Sequence, residues 1–321
     1  MRNLAQHPAS WRPVWMLAVL LALAGCALPP TGDTASDNPD TPAAESSGRS
    51  AESRALARYY ARIERQQRAR GLLRADGGGP DTPWTSRQFL RNFEQIVFFD
   101  EYTPGGGYRS TRAGPVPLRK WRQPVRMEVI FGDTVPAERR RSDLRMISDY
   151  AARLARVTGH PIGMARGRDA NYHVLIMGED DRDQSVAALR RLVPNVDPSA
   201  ARLFQKMPRS IHCLVLAFSN RRNGYSYGRA VALIRDEHPP LLRRACVHEE
   251  LAQGLGLAND SPLARPSIFN DDDEFALLTD HDEALLRLLY DPALKPGMTI
   301  EDARPILRRL VARNNDAGAG S

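Results

Sequence analysis

Apolar positions first recur at helical spacing and later turn to an alternation of strands and helices. Leu56, Tyr59, Tyr60 and Ile63 place a modest apolar stripe on a very basic helix over residues 51–70, which Gly77-Gly78-Gly79-Pro80 brings to an end. Phe89, Leu90, Phe93, Ile96 and Val97 predict a second helix over 86–99, and these aromatics read as core. Gly105-Gly106-Gly107 and the Pro/Arg-rich stretch to Leu118 predict a loop; with no helix following, the glycines are not a phosphate cradle. From Trp121 the pattern changes. Residues 125–131 alternate at strand period, and 139–158 predict a long helix with Leu144, Ile147, Ala151 and Leu154 inward, closed by Gly159. Further strands are expected over 171–177, 211–218 and 229–234, with short helices over 184–193 and 199–205 and a tight turn at Asn223-Gly224. Pro240 opens a helix running to Leu255 and stopping at Gly256. A last amphipathic helix is expected over 299–313, with 314–321 as a loose tail. Periodicity alone therefore gives helices packed on a sheet.

The N-terminus carries a different signal. Arg2 and Arg12 precede the apolar run 16–24, which is too short for a permanent span and is followed by Gly25 and Cys26. Leu23-Ala24-Gly25-Cys26 resembles the bacterial lipobox, which implies a signal peptide over 1–25, lipid on Cys26, and, because Ala27 follows, the outer membrane facing the periplasm. Residues 26–53 are Pro-, Thr-, Ser- and Asp-rich and read as a tether, 54–120 as a helical extension and loop, 121–295 as the main domain, and 296–321 as a terminal helix and tail.

Charge narrows the partners. The formal net charge is +7, and losing Arg2 and Arg12 with the leader would leave +5. No basic patch is interleaved with aromatics, so nucleic acid is not an expected partner. Besides Cys26 the chain has Cys213 and Cys246. In an exported domain these form a natural disulfide that would staple a helix to a strand; two separate buried thiols are the alternative.

Residues 249–260 carry the chemistry. Glu249-Glu250-Leu251-Ala252-Gln253-Gly254-Leu255-Gly256-Leu257-Ala258-Asn259 has the layout of the metzincin zinc helix, H-E-x-x-H-x-x-G-x-x-H, with every histidine replaced. Reading His248-Glu249 as the start of a zinc motif fails, because four residues on stands Ala252, which has no donor atom. The resemblance places Glu250 as general base and Glu249, Gln253 and Asn259 at the ligand positions, a set far from zinc's preferred donors. Ser267-Ile268-Phe269 falls where metzincins carry a methionine turn. Leu278-Thr279 followed by Asp282, Leu285, Leu286, Leu289 and Tyr290 resembles the final matrixin helix, with Thr279 and Asp282 as a capping box. The resemblance implies an α+β, zincin-like fold: a twisted mixed sheet, a long backing helix, a motif-bearing helix and an N-terminal helical extension. At finer grain, Glu249-Glu250-Leu251-Ala252-Gln253, Asn259-Asp260-Ser261, residues 267–272 and Tyr290-Asp291-Pro292 resemble a proteobacterial lipoprotein family known only as a domain of unknown function.

Two functional classes follow. The first is a non-catalytic binding or scaffolding module at the envelope, a pseudo-peptidase with no cofactor, whose partner is an envelope protein or peptide. The second is an atypical hydrolase with Glu250 as base and Glu249, Gln253, Asn259 or Asp260 holding a divalent metal weakly, or with Glu249 and Glu250 working without a metal. Adjacent helix positions point about 100° apart, so Glu249 and Glu250 are not expected to converge on one atom. The acidic run 271–274 lacks the spacing of a calcium loop. His281, between two aspartates in a first helical turn, reads as a surface capping residue.

Overall fold

Tyr172–Met177, the strand β4, is buried along its whole length, and the fold is built outward from it. The computed structural model describes residues 48–100, 114–221, 224–270 and 272–318. The signal segment, Cys26, most of the tether, the Gly105–Gly107 loop, Asn223, Asp271 and the last three residues lie outside the described residues. The remaining strands are β1 (Lys120–Trp121), β2 (Val125–Phe131), β3 (Ile162–Met164), β5 (Cys213–Ser219) and β6 (Ser226–Arg235). They form one sheet in the order β1-β6-β4-β2-β3, with those pairings parallel and β5 antiparallel on the other side of β6. The class is α+β with a mostly parallel mixed sheet.

The helices are α1 (Ala51–Ala69), α2 (Ser86–Val97), α3 (Ala137–Thr158), α4 (Arg182–Leu192), α5 (Pro198–Gln205), α6 (Pro240–Gln253), α7 (Asp280–Leu289) and α8 (Ile300–Gly318). They cover both faces of the sheet, and the period-2 alternation of the central strands assigns each face. Val174 and Ile176 of β4, with Ala230, Ala232 and Ile234 of β6, enter the larger core with Ile147 and Leu154 of α3 and Val247 and Leu251 of α6. Leu175, Met177, Val231 and Leu233 point the other way, onto Leu189 of α4 and Phe204 of α5. That two-sided burial explains why these strands are continuously apolar.

Several sequence expectations need correction. The helix carrying the motif ends at Gln253 rather than Leu255, with Gly254 as cap, and Gly256 takes the left-handed side at φ +128 after the helix has stopped. Leu144 is 41% exposed; the inward positions of α3 nearby are Asp143 and Tyr150. Asp143 is there because it pairs at 3.0 Å with Arg243 of α6, a buried cation that also donates to the carbonyls of Asp236 and His238. His281 is fully buried, 3.2 Å from the Asn92 amide and packed on Trp84 and Phe89. Helix backbone continues past 313 to Gly318, where a loose tail was expected. Strands β1 and β3 were not expected at all: two and three residues are too few to show a period.

Candidate functional site

Helix α6 is held over the sheet by four aromatic donors, two aimed at carbonyls of the helix and two at those of the residues that follow it. Tyr150 Oη donates to the His248 carbonyl at 2.8 Å and Tyr172 Oη to that of Glu250 at 2.6 Å. Trp121 Nε1 reaches the Gly254 carbonyl at 2.8 Å, and Tyr290 Oη the Leu255 carbonyl at 2.9 Å. The Gly254 and Leu255 carbonyls lie beyond the helix, where side chains supply their donors, while the Glu250 carbonyl takes the Tyr172 hydroxyl as a second donor beside the Gly254 amide. Burial pushes the Tyr150 and Tyr172 hydroxyls well above their ordinary range, so both stay protonated donors. At the other face of α6, Cys246 is disulfide-bonded to Cys213 of β5, with the Cα atoms 5.9 Å apart.

Between α6 and β5 lies a cavity of about 510 Å³, within the range of small-molecule and peptide sites. Strand β5 lines it with six consecutive residues, Cys213 to Phe218. Among the described residues β5 pairs with β6 alone, so its outer edge borders the cavity. Helix α6 contributes Leu242, Ala245, Cys246, Glu249, Glu250 and Gln253, and the segment after it Ala258, Asp260, Ile268 and Asn270. Asp100, Arg119, Ser210, Tyr227 and Asp273 add to the polar lining. Arg119 is the one cation among the described lining residues, and it is ion-paired with Asp100. His212, also on the wall, has its pKa pulled down by burial and by Arg235. Glu249, Glu250, Asp260 and Asp273 therefore make an acidic cleft in a chain of net charge +7.

The expected site residues separate into two groups. Glu249, Glu250, Gln253 and Asp260 come together on the cavity wall. Asn259 turns away: its amide donates to the Gln95 carbonyl at 2.9 Å and the Asp260 carbonyl at 2.7 Å, tying the loop to the end of α2. One carboxylate oxygen each of Glu249 and Glu250 and the Cys213 sulfur lie within 4.8 Å of one another. The two glutamates thus do approach, because flexible side chains offset the 100° between their Cα–Cβ directions. As a zinc centre the set fits poorly. The sulfur is already committed to a disulfide, Gln253 offers only an amide, and the third ligand position points elsewhere. His248, beside the motif, is buried and stacked 4.0 Å from the Tyr150 ring, and its Nδ1 accepts from the Leu278 amide at 3.0 Å. It is a core histidine. Phe269, at the methionine-turn position, is fully buried, while Asp282 gathers the turn by accepting from Ser267 Oγ, the Ile268 amide and Thr279.

Sequence reasoning missed Asp100, Arg119, His212 and Tyr227. They reach the cavity from four places in the chain, and no local spacing marks them. The family model described as Protein of unknown function (DUF2927) matches residues 86–309, more than two-thirds of the chain. The chain belongs to that family. No curated protein and no solved structure matches it. The DUF2927 match begins at the first residue of α2 and ends within α8, so it takes in the whole sheet, α6 and every cleft residue but Leu73, and leaves α1 outside.

Proposed function

We propose that this DUF2927 domain is a non-catalytic binding module of the bacterial cell envelope, tethered by lipid on Cys26 to the outer membrane facing the periplasm. Its cleft takes an extended peptide segment carrying a basic side chain. The observation that carries this reading is the joint position of β5 and the acids. An open strand edge offers main-chain donors and acceptors to an incoming strand, and the same cavity is lined by the acids Glu249, Glu250, Asp260 and Asp273. Main-chain pairing would supply affinity and the carboxylates would select the charge. A sheet with an antiparallel outer strand above a motif helix also supports descent from a metzincin-like peptidase whose metal ligands have been replaced.

Binding of fluorescent hexapeptides to the full chain tests this. Peptides alternating apolar residues with one arginine should bind, and those with glutamate in its place should not. N-methylation of the main chain facing β5, or Glu249→Gln with Glu250→Gln, should weaken binding at least tenfold. Equal binding of the arginine and glutamate peptides overturns the proposal.

The approach of Glu249 and Glu250 within 4.8 Å favours a second reading, an atypical hydrolase with Glu250 as general base. Peptide cleavage that disappears in Glu250→Gln while the fold is retained would establish it in place of the first.

A further inference from the structure

The first described helix after the tether, α1, carries an arginine face that the cleft reading does not use. Arg58, Arg62, Arg65 and Arg68 are exposed and, at 100° per residue, fall within about 120° of the helix circumference. Tyr60 and Ser53 lie on the opposite side and are buried. Glu64 also faces inward, where it accepts from the Leu242 amide at 3.0 Å. A second element extends the face: Arg209, following α5, places its guanidinium 5.1 Å from the Tyr59 ring centroid, and Arg62 lies 5.7 Å from the same centroid.

Some arginines elsewhere in this chain find acids, while others, such as Arg141, Arg145, Arg168 and Arg190, enter no ion pair among the described residues; those of α1 differ in sharing one helix face. Arg74, Arg153, Arg243, Arg265 and Arg304 each pair with a carboxylate. Among the described residues Arg58, Arg62, Arg65, Arg68 and Arg209 enter no ion pair. Four like charges on one helix face, with a fifth brought beside Arg62 over the Tyr59 ring, repel one another, and a polyanionic surface relieves that repulsion.

We infer that the arginine face of α1, extended by Arg209, docks on an anionic phospholipid surface, with lipid phosphates as its ligands. The choice of a membrane over other polyanions rests on the Cys26 reading. Ala51 follows Cys26 by 25 positions (51 − 26), which makes α1 the described element nearest in sequence to the proposed anchor. Docking there would fix which side of the domain faces the lipid, and it lies outside the residues that define the family match.

Cosedimentation of the full chain with phosphatidylcholine vesicles, with and without phosphatidylglycerol, tests this. Any apolar contribution of the N-terminus appears with both vesicles, so the increment caused by the anionic lipid reads the basic groups of the chain, and the two glutamine variants separate the arginine face from the rest. An arginine at such a surface is worth about fivefold in partitioning. Arg58→Gln, Arg62→Gln, Arg65→Gln and Arg68→Gln together should therefore cut the increment more than tenfold at an unchanged melting temperature. The same four positions as lysine should keep it. Glutamine at the scattered, exposed Arg141, Arg145, Arg168 and Arg190 removes equal charge and should leave the increment within about twofold. Equal losses in the two glutamine variants, no increment in the wild type, or tighter binding to duplex DNA than to the anionic vesicles at the same salt each overturn the inference. If the Cys26 reading alone is wrong, Cys26→Ser leaves processing and membrane association unchanged while the anionic increment persists.

Discussion

The Tyr172 hydroxyl donates to the Glu250 carbonyl at 2.6 Å, so the candidate base is fixed through its own main chain to the centre of the sheet. The contact is close because residue 254 is glycine: a Cβ there would run into the Tyr172 hydroxyl. Gly254→Ala should cost about 1–3 kcal/mol by overpacking, whereas Tyr172→Phe should cost about 1 kcal/mol, since the Gly254 amide still serves the same carbonyl. Urea denaturation of both variants checks the order. A Gly254→Ala protein as stable as the wild type would contradict the packing described.

The Cys213–Cys246 disulfide joins residues 33 apart. Loop-closure entropy puts its contribution at about 3–4 kcal/mol. Thiol titration of the denatured, unreduced domain should give none from this pair, and reduction should lower the melting temperature. Two titratable thiols before reduction would remove the bond from the account.

Acid should weaken the fold through His248. Its Nδ1 accepts from the Leu278 amide, and burial together with Arg153 and Arg244 holds its pKa at about 3. The unfolded chain takes up that proton near the ordinary value of about 6.5. Between these values the unfolded state binds more protons, so stability is complete above about 6.5 and declines as pH falls, by at most about 1.4 kcal/mol per pH unit for this group. Burial also lowers His173, His212 and His238, which act in the same direction. Denaturation midpoints at pH 7 and pH 5 should differ less in His248→Asn than in the wild type; equal slopes would mean His248 contributes nothing.

Asp282 is fully buried and accepts from Ser267 Oγ at 2.5 Å, the Ile268 amide at 3.1 Å and the Thr279 amide and hydroxyl at 3.0 and 2.8 Å. Asp282→Ala strands those donors and removes a helix cap, at a cost on the order of 3 kcal/mol. Equilibrium unfolding measures it, and a loss below about 1 kcal/mol would show that the turn holds without the carboxylate.

A binding domain without a resident metal should melt at the same temperature with and without chelator, because a ligand stabilises only the state that binds it. Calorimetry and metal analysis of the purified chain check this together. Stoichiometric zinc with a chelator-sensitive transition would overturn the non-catalytic reading.

What could be read from the sequence followed signal length. The long periodic segments, α3 and α6, and the apolar runs of β2, β4, β5 and β6 were legible to within a few residues. Strands β1 and β3 left no period, and Leu144 shows that an apolar residue at helical spacing need not face inward when a paired Asp143 takes the buried position. His281 misled for a related reason. Its aspartate neighbours are polar, but the aromatic pair Trp84 and Phe89 that encloses it lies nearly two hundred residues earlier. Within the site the α6 residues were legible because one helix carries them. Asp100, Arg119 and the edge of β5 reach the cavity through tertiary pairing that no local pattern records.

The open strand also carries a hazard for the protein itself. Cys213-Leu214-Val215-Leu216-Ala217-Phe218 holds no charge and no proline, the composition that lets a bare edge recruit a second copy of the same segment. Protection is supplied from outside the strand, by the carboxylates of α6 that any approaching copy would have to desolvate. Because the disulfide holds that helix beside the strand, conditions that reduce it should expose the segment and make the chain precipitate with rising concentration.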